Sequence, residues 1–240
     1  SMAIAPAIAI ATAFATASFA PVALVPAIPI LLLWLVSPGS AWWISRPLTR
    51  HEVRLTTDQL LFLRKLARRT WAFFETFVGP DDHWLPPDNI QEHPALVVAR
   101  RTSPTNIGLS LLANLGAYDF GYLQMGDLME RTQRALATME SLPRHRGHFY
   151  NWYDTETLQP LPPLYISTVD SGNLAGHLLT LRQGLLAMPD EPVLARATFA
   201  GLADTLGVLQ ETQAGVGDVA FDAATSDFGQ QLDAVIQHPP

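Results

Sequence analysis

A chain of 240 residues can hold one large domain, or an apolar anchor followed by a smaller one. With 15 basic and 22 acidic side chains, a formal charge of −7 and a pI near 5.4, it lacks the basic footprint of a nucleic-acid binder, so no nucleic-acid partner is expected. The absence of cysteine excludes disulfides, thiol nucleophiles and cysteine-held zinc.

Residues 1–45 carry no charge, and every charged side chain falls at or after Arg46. One bilayer crossing takes about 20 predominantly apolar residues. The opening therefore predicts a transmembrane segment over 1–45, with one or two helices at about 2–20 and 22–44. Pro21, Pro26 and Pro29 are expected to interrupt the second, and a single span with an interfacial lead-in is the variant of this reading. A secretory signal would want a basic start and a short apolar stretch, and neither is present. Arg46, Arg50, Arg54, Arg64, Lys65, Arg68 and Arg69 follow closely. Basic residues near a span end stay on the cytoplasmic side, and Trp34, Trp42 and Trp43 suit the headgroup boundary. A lipid bilayer is thus an expected partner, with the remaining chain facing the cytoplasm.

After the anchor, 56–78 reads as a helix that Thr56 or Thr57 can cap, with Asp58 in its first turn. Leu60, Leu63, Ala67, Trp71 and Phe74 recur on one face, and Gly79-Pro80 ends it. GPDDHWLPPDNIQEHP, with four prolines, predicts an ordered loop or extended segment. A second helix begins at Ser103-Pro104, buries Ile107, Leu111, Leu112 and Leu115, and stops at Gly121. A third covers MGDLMERTQRALATMESL, with its apolar stripe at Leu128, Met129, Leu136 and Met139. A fourth starts near Thr168, a fifth covers about 191–210, and the tail holds one more from 226 to 237. No sustained strand alternation and no fixed-period repeat occur. The expected class is all-α: an N-terminal transmembrane helix or helices, then antiparallel helix pairs over 46–240.

Three connectors share a composition: RTSPTNIG (101–108), RGHFYNWYD (146–154) and YISTVDSGNLAG (165–176). Each sets amides, carboxylates, hydroxyls or aromatic rings at or before a helix start. Aromatic faces stack on sugar rings while amides and carboxylates bond paired hydroxyls, so a shared cleft here suits a polyhydroxylated ligand. The candidate contacts are Asn106, Tyr150, Asn151, Trp152, Tyr153, Asp154, Asp170 and Asn173. Each also has a structural role open to it. Ser103 and Thr168 serve equally as caps, Asp170 as a first-turn carboxylate, Asn106 and Asn173 as backbone partners, and Tyr150 and Trp152 as core aromatics. His145 and His148 alone do not make a metal site, which needs three or four ligands. No phosphate loop and no strand for a nucleophilic serine are present. Neither a metal nor a cofactor is expected.

The runs RRTWAFFETFVGPDDHWLPPDNIQEHP, RTSPTNIGLSLLANLGAYDFGYL and RGHFYNWYDTETLQPLPPLYISTVDSGNLAGHL, in that order, resemble the glycoamylase-like domain of bacterial cyclic β-1,2-glucan synthases. LLLWLVSPGSAWWISRPL resembles the membrane segment ahead of that domain, and the likeness covers about Arg46–Ala187. The resemblance implies a multidomain inner-membrane enzyme. A glycosyltransferase part extends a β-1,2-glucan from UDP-glucose, a phosphorylase-like part trims it, and a middle (α/α) barrel closes the ring by transglycosylation.

On this reading the chain is the first, incomplete part of that barrel. Its substrate partner is β-1,2-glucan or a related glucan, and its other partners are the missing glycosyltransferase and phosphorylase-like domains. A six-hairpin toroid needs about twelve helices of typical length, more than the five or six expected here. Bond exchange at a glycoside uses two carboxylic acids. The resemblance puts the main pair after residue 240, leaving Asp154 and Asp170 as lesser catalytic candidates. The fragment is expected to be inactive alone and, with apolar helix faces uncovered, to self-associate. The alternative is a non-catalytic, membrane-attached helical module that binds glycans or acts as a scaffold; a more distant one is a helical toroid handling an isoprenoid.

Overall fold

The computed structural model describes residues 4–46, 55–190, 195–213 and 219–237, in two units, Ser1–Arg54 and Leu55–Pro240. Arg50 and Arg54 of the basic flank lie outside the described residues.

The first unit is a helical hairpin of α1 (Ile4–Phe19) and α2 (Pro21–Ile44). Ala9, Ile10 and Ala13 share a groove with Leu24, Ile28 and Leu31, while Ile4, Ala5 and Ile8 share another with Trp34, Pro38 and Ala41, so the helices run antiparallel. Pro21 sits at the first helical position, where its missing N–H costs nothing. Pro26, Pro29 and Pro38 lie inside α2, so the expected interruption does not occur. At 24 residues α2 spans about 36 Å, more than the ~30 Å hydrocarbon layer, and it buries no residue. Among the described residues it is the one helix long and apolar enough to cross a membrane; α1, at 16 residues, is shorter. At its end the Arg46 guanidinium lies 3.9 Å from the Trp42 ring centre.

The second unit is built on helices α3 (Thr57–Phe77), α4 (Pro104–Asp119), α5 (Met125–Ser141), α6 (Thr168–Ala187), α7 (Arg196–Gln213) and α8 (Val219–Gln237). The starts of α3 and α4 are chemically explicit. Thr56 Oγ1 accepts from the Gln59 N–H while the Gln59 side chain accepts from the Thr56 N–H, closing a capping box. Ser103 Oγ accepts from the Asn106 N–H, with Pro104 next in line. Gly121 ends α4 with φ +80°, and a side chain there would strike the Ala197 carbonyl at the start of α7. The α6 cap is Ser167 rather than Thr168: its hydroxyl accepts from the Asp170 N–H. The last helix begins at Val219, well before the expected 226.

The α4–α5 pair is an antiparallel hairpin, but α4 and α6 run parallel. Thr105 meets Asn173, Gly108 meets His177, and Leu115 meets Gly184, a nearly constant offset along both chains. The contact needs both glycines, because a Cβ on Gly108 would enter the His177 ring and one on Gly184 the Leu115 side chain. The core joins Ile107 and Leu111 of α4, Ala135 and Met139 of α5, and Leu174 and Leu181 of α6, with Leu85, Leu142 and Tyr153 from the connectors. On α5 the buried stripe is Leu128, Thr132, Ala135 and Met139; Met129, expected inside, is 52% exposed.

The connectors form three short antiparallel ladders among the described residues: β1 (Ile90–Gln91) with β2 (Val97–Val98), β3 (Arg101–Thr102) with β6 (Tyr153–Asp154), and β4 (Arg144–His145) with β5 (His148–Phe149). A half-buried ion pair ties the β3–β6 ladder to the turn at Asp82. Arg100 Nη1 donates to both Asp82 oxygens at 2.9 Å, and Thr155 Oγ1 donates to Asp82 Oδ1 at 2.6 Å. Arg131 ties α5 to the end of α3, donating to the Phe74 and Val78 carbonyls between the rings of Trp71 and Trp84. Burial lowers its pKa from the ordinary arginine value.

Candidate functional site: the rim at the starts of α4 and α6

Because α4 and α6 are parallel, their N-termini lie together, and the β3–β6 ladder lies beside them. Arg101 pairs with Asp154 and Thr102 with Tyr153. Side chains alternate across a strand. Thr102 and Tyr153 are both fully buried, while Arg101, Trp152 and Asp154 keep partial exposure.

Asn106, Trp152 and Asp170 stand on one unbroken run of contacts. Asn106 Nδ2 donates to Asp88 Oδ1 at 3.3 Å, and Asp88 Oδ2 accepts from Arg101 Nε at 3.2 Å and Nη2 at 2.9 Å. The Arg101 guanidinium carbon lies 4.9 Å from the Trp152 ring centre. With the Asn151 amide turned so that its donor meets the carboxylate, its oxygen accepts from Trp152 Nε1 at 2.7 Å and from the Tyr165 hydroxyl at 2.6 Å, and its nitrogen donates to Asp170 Oδ2 at 3.0 Å. Asn173 Nδ2 donates to Thr105 Oγ1 at 3.1 Å, closing the run onto α4.

The members are not equally available to a ligand. Asp170 is heavily occupied by the protein itself. Burial pushes its pKa up, but the hydroxyls of Ser167, Thr105 and Ser103 and the Thr105 N–H outweigh that, and the net shift is downward. It is a staple between two helix N-termini, both of which favour negative charge. Asp154 is likewise committed: Oδ1 accepts from the N–H groups of Thr157 (2.7 Å) and Glu156 (3.0 Å) and from Thr157 Oγ1 (2.9 Å). These bonds, the Thr157 N–H first, lower its pKa. A glycosidic general acid needs a raised pKa, so neither carboxyl is tuned for that task.

Tyr153, read from the sequence as a sugar contact, stands in the core. It is fully buried, its hydroxyl donates to the Pro143 carbonyl at 2.7 Å and accepts from the Tyr150 N–H at 2.8 Å, and burial raises its pKa. Tyr150 is half-buried with its ring edge-on to Tyr153, and Asn151 is buried as the hub between Trp152 and Asp170. Asn106 is half-buried and Asn173 exposed, both at the rim. Sequence reasoning missed Asp88, Arg101, Thr105 and Tyr165. The signal for Arg101 was its place two residues before the capping Ser103, at the head of the 101–108 connector; nothing local foretold its seat on Trp152. Among the described residues no group of three or more metal-ligating side chains occurs.

A scan of protein-family models finds no match for this chain. Over 186 residues, 77% of its length, the chain is 40% identical to the cyclic beta-(1,2)-glucan synthase NdvB of Rhizobium meliloti (strain 1021), of which it spans 7%. A crystal structure provisionally described as a glucoamylase from Bacteroides fragilis NCTC 9343 overlaps 68% of this chain and 38% of its own at 20% identity and a TM-score of 0.47, too loose an overlap to argue from. Over more than three-quarters of its length, then, the chain is similar to a small segment of a cyclic β-(1,2)-glucan synthase, in keeping with the resemblance carried by its motifs.

Proposed function

We propose that this chain forms one wall of a glucan cleft in a membrane-anchored enzyme of cyclic β-1,2-glucan synthesis, used in ring closure by transglycosylation, and that it turns over nothing alone. The observation that carries this reading is the continuous rim Asp88–Arg101–Trp152–Asn151–Asp170, in which amide, carboxylate, guanidinium and indole stand side by side. Such a set suits a ligand made of hydroxyl-bearing rings. The likeness to a segment of NdvB supports a glucan, and in this proposal a β-1,2-linked one, as that ligand. In this proposal 1–45 anchors the chain in the bacterial inner membrane, 46–240 lies on the cytoplasmic side as the first part of an (α/α) toroid, and the remaining catalytic parts belong to a longer protein. Binding is tested by calorimetry of the detergent-solubilised chain with linear β-1,2-glucan. Trp152→Ala should weaken it several-fold; unchanged binding with an intact fold would return Trp152 to a packing role.

A second reading has its own support. The two rim carboxyls are committed to internal donors and shifted down, as in a non-catalytic glycan-binding or scaffolding module. Joining the chain to its missing domains separates the two readings: a cyclising enzyme should lose ring closure on Trp152→Ala, whereas a passive module should leave turnover unaltered.

A further inference from the structure

We propose that the Asp88–Arg101 pair, seated on the Trp152 ring, reads adjacent hydroxyl groups of a bound glucan, and that the indole serves chiefly to hold the guanidinium flat. The inference rests on the reading of this rim as glucan-binding.

The pair is rigidly framed. Asp88 N–H donates to the Ala99 carbonyl at 3.1 Å, Ala99 N–H donates to the Asn89 carbonyl at 3.0 Å, and Arg101 is fixed by its ladder partner Asp154. Within that frame the bonding is lopsided. Asp88 Oδ2 accepts from Arg101 Nε and Nη2 and from Asn89 Nδ2, whereas Oδ1 accepts from Asn106 alone among the described residues. A carboxylate oxygen has two acceptor sites, so Oδ1 keeps spare capacity. Arginine has five N–H donors, and Asp88 engages one on Nε and one on Nη2, leaving the second on Nη2 and both on Nη1 without a partner among the described residues. Arg101 keeps half of its side chain exposed.

The ion pair thus keeps an unused acceptor site on Asp88 Oδ1 and unused donors on the Arg101 guanidinium. Each hydroxyl of a vicinal pair both donates and accepts, so neighbouring ring hydroxyls of glucose can answer both groups at once. A lysine could match the charge but not the planar fork. The guanidinium also covers one face of Trp152. A sugar arriving on that side meets the fork of Arg101 rather than the bare indole.

The test is calorimetric titration of the detergent-solubilised full chain with a linear β-1,2-glucan oligosaccharide, each variant checked by circular dichroism. Arg101→Lys should lose at least tenfold in affinity, and Asp88→Asn, which unpins the fork, at least threefold. Arg134→Gln, on the exposed side of α5, should bind as the parent does. Binding by Arg101→Lys that is unchanged or tighter would overturn the inference while leaving the rim reading intact, because it would make the guanidinium a mere cover over a stacking platform. Loss on Trp152→Ala alone, with Arg101→Lys and Asp88→Asn unaffected, would overturn it in the same way. A parent chain that binds no oligosaccharide would remove the rim reading itself.

Discussion

In α5 the stripe Leu128, Thr132, Ala135 and Met139 is buried against its neighbours, whereas in the first half of α3 Leu60, Leu63 and Leu66 remain 50%, 44% and 50% exposed. Both helices are amphipathic, and both were readable as such. The difference lies in which face each helix uses to hold on. Helix α5 is held by its apolar side. Helix α3 is held to α7 by its charged side: Arg64 pairs with Asp204 at 2.9 Å, Arg69 with Glu211 at 2.8 Å, Lys65 with Glu211, and Arg68 Nε donates to Thr205 Oγ1 at 2.9 Å. Periodicity sets which side of a helix seeks cover; what covers it depends on residues far away in sequence. The exposed pairs of Lys65 and Arg69 with Glu211 contribute about 0–1 kcal/mol each, whereas Asp204 is buried beneath Arg64 and the Tyr122 hydroxyl. The hold on α3 begins at Arg64, and the turns before it stay exposed.

The comparison breaks most visibly in the core. Leu128→Ala should cost about 2–5 kcal/mol, because Leu128 is fully buried and leaves a cavity. Leu63→Ala should cost under about 1 kcal/mol, since the leucine is already partly in water. Denaturant unfolding of the detergent-solubilised chain checks both, and equal losses would mean that the α3 face is covered in solution. Gly108→Ala comes next. It forces a methyl against His177 at the α4–α6 contact, and overpacking of this kind costs about 1–3 kcal/mol.

Asp170 is the polar counterpart of that contact, holding together the same two helices at their N-termini. Asp170→Ala should cost about 1–2 kcal/mol at neutral pH, the range of a charge-assisted hydrogen bond discounted for partial exposure. The sign of its pH dependence follows from a folded-state pKa below the unfolded one. The stabilisation is fully present above the unfolded value of about 3.9 and fades as pH falls through the lower folded value. Unfolding followed from pH 6 down to 2 should show the parent losing stability on the acid side and Asp170→Asn losing less of it. Parallel curves would mean that the carboxylate has no such role.

What could be read from the sequence was local chemistry. The Thr56 cap, the Ser103-Pro104 start and the Gly121 stop depend on residues within one turn of each other, and all three stand where they were expected. Ser167 was missed in favour of Thr168 because two adjacent hydroxyls make equally good caps and only the backbone angle chooses between them. The rim was legible as a composition but not as a wiring diagram. Arg101 and Asp154 are paired through a ladder whose strands lie about fifty residues apart, and a two-residue strand has no periodicity to announce it. The same ladder sends Tyr153 inward and Trp152 outward. Six consecutive polar and aromatic residues could not show that division.

The smallest expected effect sharpens the α3–α5 contrast from the local side. Thr56 and Gln59 satisfy each other's backbone N–H groups at 3.3 and 3.0 Å, at a helix end where every residue from Leu55 to Leu63 is exposed. With so little tertiary hold, the first turn depends on this box. Thr56→Ala should cost about 0.5–1 kcal/mol, a loss too small to move global unfolding far. Amide exchange should register it plainly, with faster exchange confined to the first two turns of α3 and unchanged rates in α5. Were the α5 amides to quicken equally, the start of α3 would belong to the same cooperative unit as the core, and its exposed leucines would be part of a surface that the folded protein keeps closed.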